Sequence, residues 1–248
     1  MSDLSYTAGY YQRLKEDSAA SAREVVPFIM QLFTPRSVID VGCGSGTWAA
    51  AYKQAGAQVL GVDGYDVKTE QLVIAPQEFE RRNLLEPLRI DRRFDLANCL
   101  EVAEHLPADR AQTFARELCQ LADVVLFSAA VPGQGGTHHI NEQWPTYWIA
   151  FFQDNGFQAL DCIRPQIWRN ESVASWYAQN MFAFVKRDRL AGYPKAVELS
   201  RHPGPVDLVH PRAYVKATVP QEMSPRMLKE VLRALPHFPG KILAHLRK

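Results

Sequence analysis

The stretch Val38-Ile39-Asp40-Val41-Gly42-Cys43-Gly44-Ser45-Gly46-Thr47-Trp48 decides the fold. A short apolar run ends on an acid, and three glycines then fill the turn before a helix-compatible segment. Such a turn lets a ligand approach the backbone closely, because glycine tolerates left-handed backbone and carries no side chain. A dinucleotide fingerprint, G-x-G-x-x-G, would need glycine at position 47, where threonine stands. A second apolar run ends at Val62-Asp63-Gly64, and an acid at that strand tip can accept both hydroxyls of an adenosine ribose.

Outward from this centre the same alternation continues. The runs 37–41, 58–62, 94–100 and 124–128 are rich in β-branched or bulky apolar residues, and each of the first three is followed by a stretch able to form a helix. Strand alternating with helix predicts an α/β fold on a mostly parallel sheet. Residues 157–164 and 180–186 read as two further strands. The linking IRPQIWRNESVASWYAQ has no clear crossover helix, so an antiparallel pair at one sheet edge is expected. Ahead of the first strand, Ala20, Val25, Phe28, Ile29 and Leu32 fall at helical spacing and predict an opening helix over 17–33.

After Arg187 prolines recur and β-branched runs disappear, which places a domain over 1–187 and a proline-rich linker with a basic helical extension over 188–248. Two short helices are expected at 225–235 and 241–246. Arg226, Lys229, Arg233, Lys241, Arg247 and Lys248 face only Glu230 there. Two readings stand for this end: a helix capping the core, or peripheral contact of 225–248 with an anionic membrane surface.

The formal net charge of +1 provides no global field for nucleic acid, so an RNA or DNA partner is not expected. Cys43, Cys99, Cys119 and Cys162 form no C-x-x-C pair, and the first residues lack the apolar run of a signal peptide. A reduced, cytoplasmic setting is the expectation.

Asp40, Gly42, Gly44, Gly46 and Asp63 together resemble the class I S-adenosylmethionine (SAM) dependent methyltransferases. The resemblance implies a Rossmann-like sheet of seven strands with an antiparallel edge. It also implies SAM as cofactor, its amino-acid part wrapped by the glycine loop and its ribose held by Asp63. Extended to the next strands, it adds Asn83, Leu84 and Leu100 as cofactor contacts, with Asn83 where the family often has an Asp beside the adenine amino group.

The fourth strand runs into Glu101-Val102-Ala103-Glu104-His105. On a helical turn, positions i, i+3 and i+4 share one face, so two carboxylates and an imidazole would converge beside the reacting methyl group. The loop after the fifth strand carries His138 and His139. Glu101, Glu104, His105 and His139 thus form a candidate ligand set for Mg²⁺, Mn²⁺ or Fe²⁺. The E-x-x-E-H turn with a later histidine is similar to metal-dependent small-RNA 2′-O-methyltransferases. Without a metal, His139 is the candidate general base, with Glu101 and His105 beside it; with one, the ion lowers the hydroxyl pKa.

A longer resemblance, over about 10–186, is carried by FDLANCLEVAEHLP, FSAAVPGQGG, HINEQWPTYW, IRPQIW and WYAQNMF. It is to a bacterial methyltransferase family associated with surface-polysaccharide and glycosylation gene sets, and it implies O-methylation of a saccharide or glycolipid precursor. An RNA 2′-hydroxyl acceptor and a non-catalytic scaffold in a glycan assembly complex are the competing expectations. Trp144, Tyr147, Trp148, Trp168, Trp176 and Tyr177 crowd this half, as core packing or as a platform for a sugar ring.

Overall fold

The computed structural model describes residues 8–64, 67–201 and 204–218. The chain divides into two compact units, residues 1–210 and 211–248. The first holds a seven-stranded sheet in the order β3-β2-β1-β4-β5-β7-β6. Its strands are β1 (Ser37–Val41), β2 (Gln58–Asp63), β3 (Phe79–Arg81), β4 (Leu96–Leu100), β5 (Val124–Ser128), β6 (Phe157–Leu160) and β7 (Phe182–Lys186). β3, β2, β1, β4 and β5 are mutually parallel, while β7 runs antiparallel to both β5 and β6.

Alternation along each strand divides the core between the two sheet faces. Val38, Leu96, Val124 and Leu126 point toward α1 (Ala8–Phe33) and α2 (Thr47–Gln54), where Val25, Ile29, Trp48 and Tyr52 pack. Ile39, Ala97, Val125 and Phe127 point the other way, onto Phe114 and Leu118 of α3 (Ala111–Leu121) and Trp148 and Phe152 of α4 (Pro145–Asp154). Phe152 stacks on Phe184 of β7 with centroids 3.8 Å apart.

Four details depart from the sequence reading. The fourth strand begins at Leu96, with Phe94 held by a single bridge to Ala122. The β6 to β7 connection carries two short helices, α5 (Arg164–Ile167) and α6 (Ser175–Asn180), so Arg164 and Asn180 are helical and not strand residues. Pro165 in the first turn of α5 starts a helix readily, because its missing N–H is one no helix uses there.

The opening helix α1 begins at Ala8, well before Asp17. The compact unit also continues to His210, past the expected boundary at Arg187. The added segment includes α7 (Pro194–Leu199) and buries Ala196, and Tyr193 packs edge-on against Phe33. Arg164, fully buried, donates to the carbonyl of Val206, and Asp207 accepts from the amide and hydroxyl of Thr146. Proline texture marked a change of secondary structure, whereas the unit's end is set by these contacts across the chain.

The second unit is described only over α8 (Pro211–Thr218). The expected helices at 225–235 and 241–246 lie outside the described residues. Among the described residues, no helix is long and apolar enough to cross a membrane. All four cysteines are free and buried.

Candidate active site

Two turns at the carboxyl ends of the central strands make the site. The first is the glycine loop between β1 and α2. Gly42, Gly44 and Gly46 all adopt left-handed φ, at 76°, 54° and 83°. The amides of Gly42 and Cys43 donate to the carbonyl of Val62, which ties the loop to the tip of β2. A Cβ at Gly44 would meet nothing within 4 Å, so this part of the loop faces open space.

Asp63 and Asp40 divide the work of holding this loop. Asp63 receives the amides of Gly44 and Gly64, each at 2.6 Å and on separate oxygens. A carboxylate oxygen can accept more than one hydrogen bond. Asp40 lies deeper, bonded to the Nδ2 of Asn98 at 2.6 Å and to the amide of Ala49 at 3.2 Å. Burial pushes its carboxyl up to about 7, and the Asn98 and Ala49 hydrogen bonds only partly offset that. It anchors the first turn of α2 from below.

Asn83 stands in the turn after β3, half-buried, not on a strand. Its Oδ1 accepts from the amide of Leu85 and its Nδ2 donates to Glu86, so its carbonyl serves a local turn. Leu84 and Leu100 are buried.

The second turn follows β4. Glu101 is left-handed, with φ 56°, and Ala103–His105 form one turn of 3-10 helix. The expected helical face from position 101 to 105 therefore does not form. Left-handed backbone at a non-glycine residue is costly, and here it accompanies hydrogen bonds of the Glu101 side chain to two distant segments. The carboxylate accepts from Nε2 of Gln134 at 2.7 Å and Nδ2 of Asn180 at 3.0 Å. Asn180 and Gln179 in turn donate to Oε1 of Gln134.

The other three residues do converge. Glu104, His105 and His139 each offer a ligand atom, and these lie within 4.8 Å of one another. Glu104 is fully buried, and neither of its oxygens has a hydrogen-bond partner of good geometry. Burial first, and the Glu101 carboxylate second, hold its pKa well above the ordinary range, against the opposing pull of the Glu104 and Ala130 amides. The loop bearing His139 is laid across this turn by Ile140 and Asn141, whose amides both donate to the carbonyl of Glu104.

Both imidazoles have one nitrogen engaged. Nδ1 of His105 lies 3.3 Å from the carbonyl of His138, and Nδ1 of His139 lies 2.9 Å from Oε1 of Glu142. The rings meet edge to face with centroids 4.8 Å apart. Burial, then His139, keep the His105 pKa below its ordinary value, so its ring tends to stay neutral. An imidazole that gives its Nδ1–H to a carbonyl or carboxylate and keeps the Nε2 lone pair is arranged as metal-binding histidines are.

The sequence reading missed Gln134, Glu142, Gln179 and Asn180. Glu142 had a faint signal, standing three residues after His139. The other three are amides within FSAAVPGQGG and WYAQNMF, motifs that carried the resemblance without marking these residues. Of the aromatic residues, Trp148 and Tyr177 are core, and Trp168 packs on His210 with centroids 4.5 Å apart. Trp144 is exposed, at the start of α4.

Comparisons with known proteins agree with this geometry. A family model described as a methyltransferase domain matches residues 13–160. The ubiquinone biosynthesis O-methyltransferase of Haemophilus ducreyi is 33% identical over 110 residues, covering 39% of this chain and 45% of that protein. The protein of the same name from Stutzerimonas stutzeri is 38% identical over 87 residues, covering 29% of this chain and 34% of its own length. The chain thus spans less than half the length of these relatives. Among solved structures, the SAH-bound magnesium protoporphyrin IX methyltransferase of Synechocystis PCC 6803 aligns with a TM-score of 0.51 at 19% identity, over 75% of this chain and 90% of that one. Streptomyces venezuelae DesVI aligns with a TM-score of 0.53 at 13% identity, over 71% of this chain and 94% of its own. The sheet order and a family match over more than half the chain lead to one conclusion: this chain belongs to the methyltransferase domain family and has its Rossmann-like fold.

Proposed function

We propose that the protein transfers the methyl group of SAM to a hydroxyl oxygen of a saccharide or glycolipid precursor, with a divalent ion held by Glu104, His105 and His139. The observation that carries the reading is the buried, unpartnered Glu104 carboxylate among two imidazoles. Leaving such a group unpaired costs several kcal/mol in order of magnitude, and a cation offsets that cost. One carboxylate oxygen with two imidazole nitrogens suits Mn²⁺ or Fe²⁺ better than Mg²⁺, which prefers oxygen donors.

Asp63 holds the ribose in this scheme, the loop of Gly42, Gly44 and Gly46 admits the amino-acid part of SAM, and Leu84 and Leu100 border the cofactor. Asp40 fixes the loop from beneath. Glu101 acts through Gln134 and Asn180, positioning the loop that carries His139. A bound ion would lower the pKa of the acceptor hydroxyl and orient its oxygen. The protein's own share is placement of that oxygen in line behind the methyl group.

The O-methyl chemistry draws support from the names of the ubiquinone-pathway relatives, and the saccharide class from the motif resemblance over 10–186. Labelled SAM with a panel of saccharides, phenols and short RNAs tests acceptor class. Transfer to saccharide hydroxyls, lost in excess chelator and restored by Mn²⁺ or Fe²⁺, is the expected result. Full transfer in chelator would remove the ion and leave His139 as general base. Exclusive transfer to phenols or RNA would overturn the acceptor.

A further inference from the structure

We infer that Glu142 is a positioning residue that fixes the tautomer and direction of His139. The inference rests on the reading above in taking His139 as the group that presents Nε2 to the site. Glu142 lies just ahead of α4, outside the Glu104, His105 and His139 set.

Its carboxylate receives three donors. The amide of Gly133 reaches Oε2 at 2.8 Å, and the amide of Gly135 reaches Oε1 at 2.7 Å. Nδ1 of His139 reaches the same Oε1 at 2.9 Å. Backbone amides can only donate, so both oxygens of Glu142 act as acceptors here. The nitrogen of His139 that meets it must therefore carry the proton. In the neutral ring Nε2 then keeps the lone pair, which is the form that a metal or a substrate proton needs.

The loop is shaped for this contact. Gly133 and Gly135 have φ of 84° and 67°, conformations that suit glycine and bring two amides onto one carboxylate. Gly136 then passes so close to the ring that a Cβ there would lie 2.2 Å from Nε2 of His139. The imidazole is thus held at one nitrogen by Glu142 and bordered at the other by bare backbone. His105 is constrained alike by the carbonyl of His138, so both rings have their Nδ1 side engaged.

The test uses the full chain labelled with ¹⁵N-histidine, with no metal or acceptor added, and long-range ¹H–¹⁵N correlation spectra. Signals of His139 are identified by their loss in His139→Gln. The wild-type ring is expected to show a protonated Nδ1 and an unprotonated Nε2. Glu142→Ala is expected to move the ring toward the Nε2–H form and to weaken Mn²⁺ binding by about 10–100-fold, the usual cost of losing such a partner. Glu142→Gln keeps one oxygen able to accept from His139 and should recover part of both effects. SAM binding serves as the check that the variants fold.

A wild-type ring protonated at Nε2, or a tautomer unchanged in Glu142→Ala, overturns the inference. The two readings fail separately. Absence of Mn²⁺ binding or of methyl transfer in the wild type removes the proposed function, while the tautomer still decides the role of Glu142.

Discussion

Val102 lies against Gly42, so closely that a methyl group on the glycine would sit 2.3 Å from Cγ2 of the valine. This contact joins the glycine loop to the turn that carries Glu101, Glu104 and His105. The glycine loop and the candidate ligand set are therefore one packed assembly, and a change in either is felt by both.

Gly42→Ala combines that clash with a φ of 76°. Left-handed strain costs about 1–2 kcal/mol and overpacking about 1–3 kcal/mol. Denaturant titration should show a loss of about 2–5 kcal/mol, and calorimetric titration a drop in SAM affinity. Val102→Ala in the same chain should recover the packing part and leave the backbone part. Unchanged stability in Gly42→Ala would show that the loop does not hold this shape.

Asp40 gives a pH dependence of defined sign. Its carboxyl, held at about 7 by burial, ordinarily titrates near 3.8. Between those values the unfolded chain has lost a proton that the folded chain keeps, so stability falls as pH rises from about 4 to about 7 and then levels. The full span corresponds to at most roughly 4 kcal/mol. Asp40→Asn should flatten much of this slope, read by unfolding at pH 5 and pH 7.5. A slope equal to the wild type's would assign the effect to other groups.

Glu104→Gln tests the unpaired carboxylate. In chelator at pH 8 the variant should match or exceed wild-type stability, by up to about 3 kcal/mol, because an amide is less costly to bury than an unpaired charge. The same change should abolish Mn²⁺ binding. Thermal melts with and without Mn²⁺ give both results, and a variant that melts well below the wild type in chelator would show that the carboxylate has a structural partner.

Chain ends test the domain boundary. A chain ending at Arg187 loses α7, the Val206 carbonyl that Arg164 binds and the Asp207 contact to Thr146. It leaves the buried Arg164 short of one acceptor and should unfold several kcal/mol more easily, since breaking buried charged hydrogen bonds costs about 3–5 kcal/mol. A chain ending at His210 should retain SAM binding. Equal stability of the two truncated chains would restore the boundary at Arg187.

Much of the fold was legible because its signals are local. Strand runs, their alternation with helices and the glycine loop are set within a dozen residues, and β1 and β5 fall where the apolar runs place them. The site was legible in part. Glu104, His105 and His139 come together by a 3-10 turn and a loop laid across it, not by the helical face expected over 101–105. Glu101 stands apart from the three converging ligand atoms, and nothing in E-x-x-E-H announces a left-handed residue at its head.

By itself, then, the sequence determined the parallel sheet with its antiparallel edge and the acid-glycine-acid loop, since these follow from periodicity and from what glycine alone allows. Only the tertiary structure decided that Glu101 serves Gln134 and Asn180, that Glu142 holds His139, and that the first unit runs to His210. Those outcomes depend on contacts such as that of Arg164 with the Val206 carbonyl, where burial and hydrogen-bond geometry choose the partner.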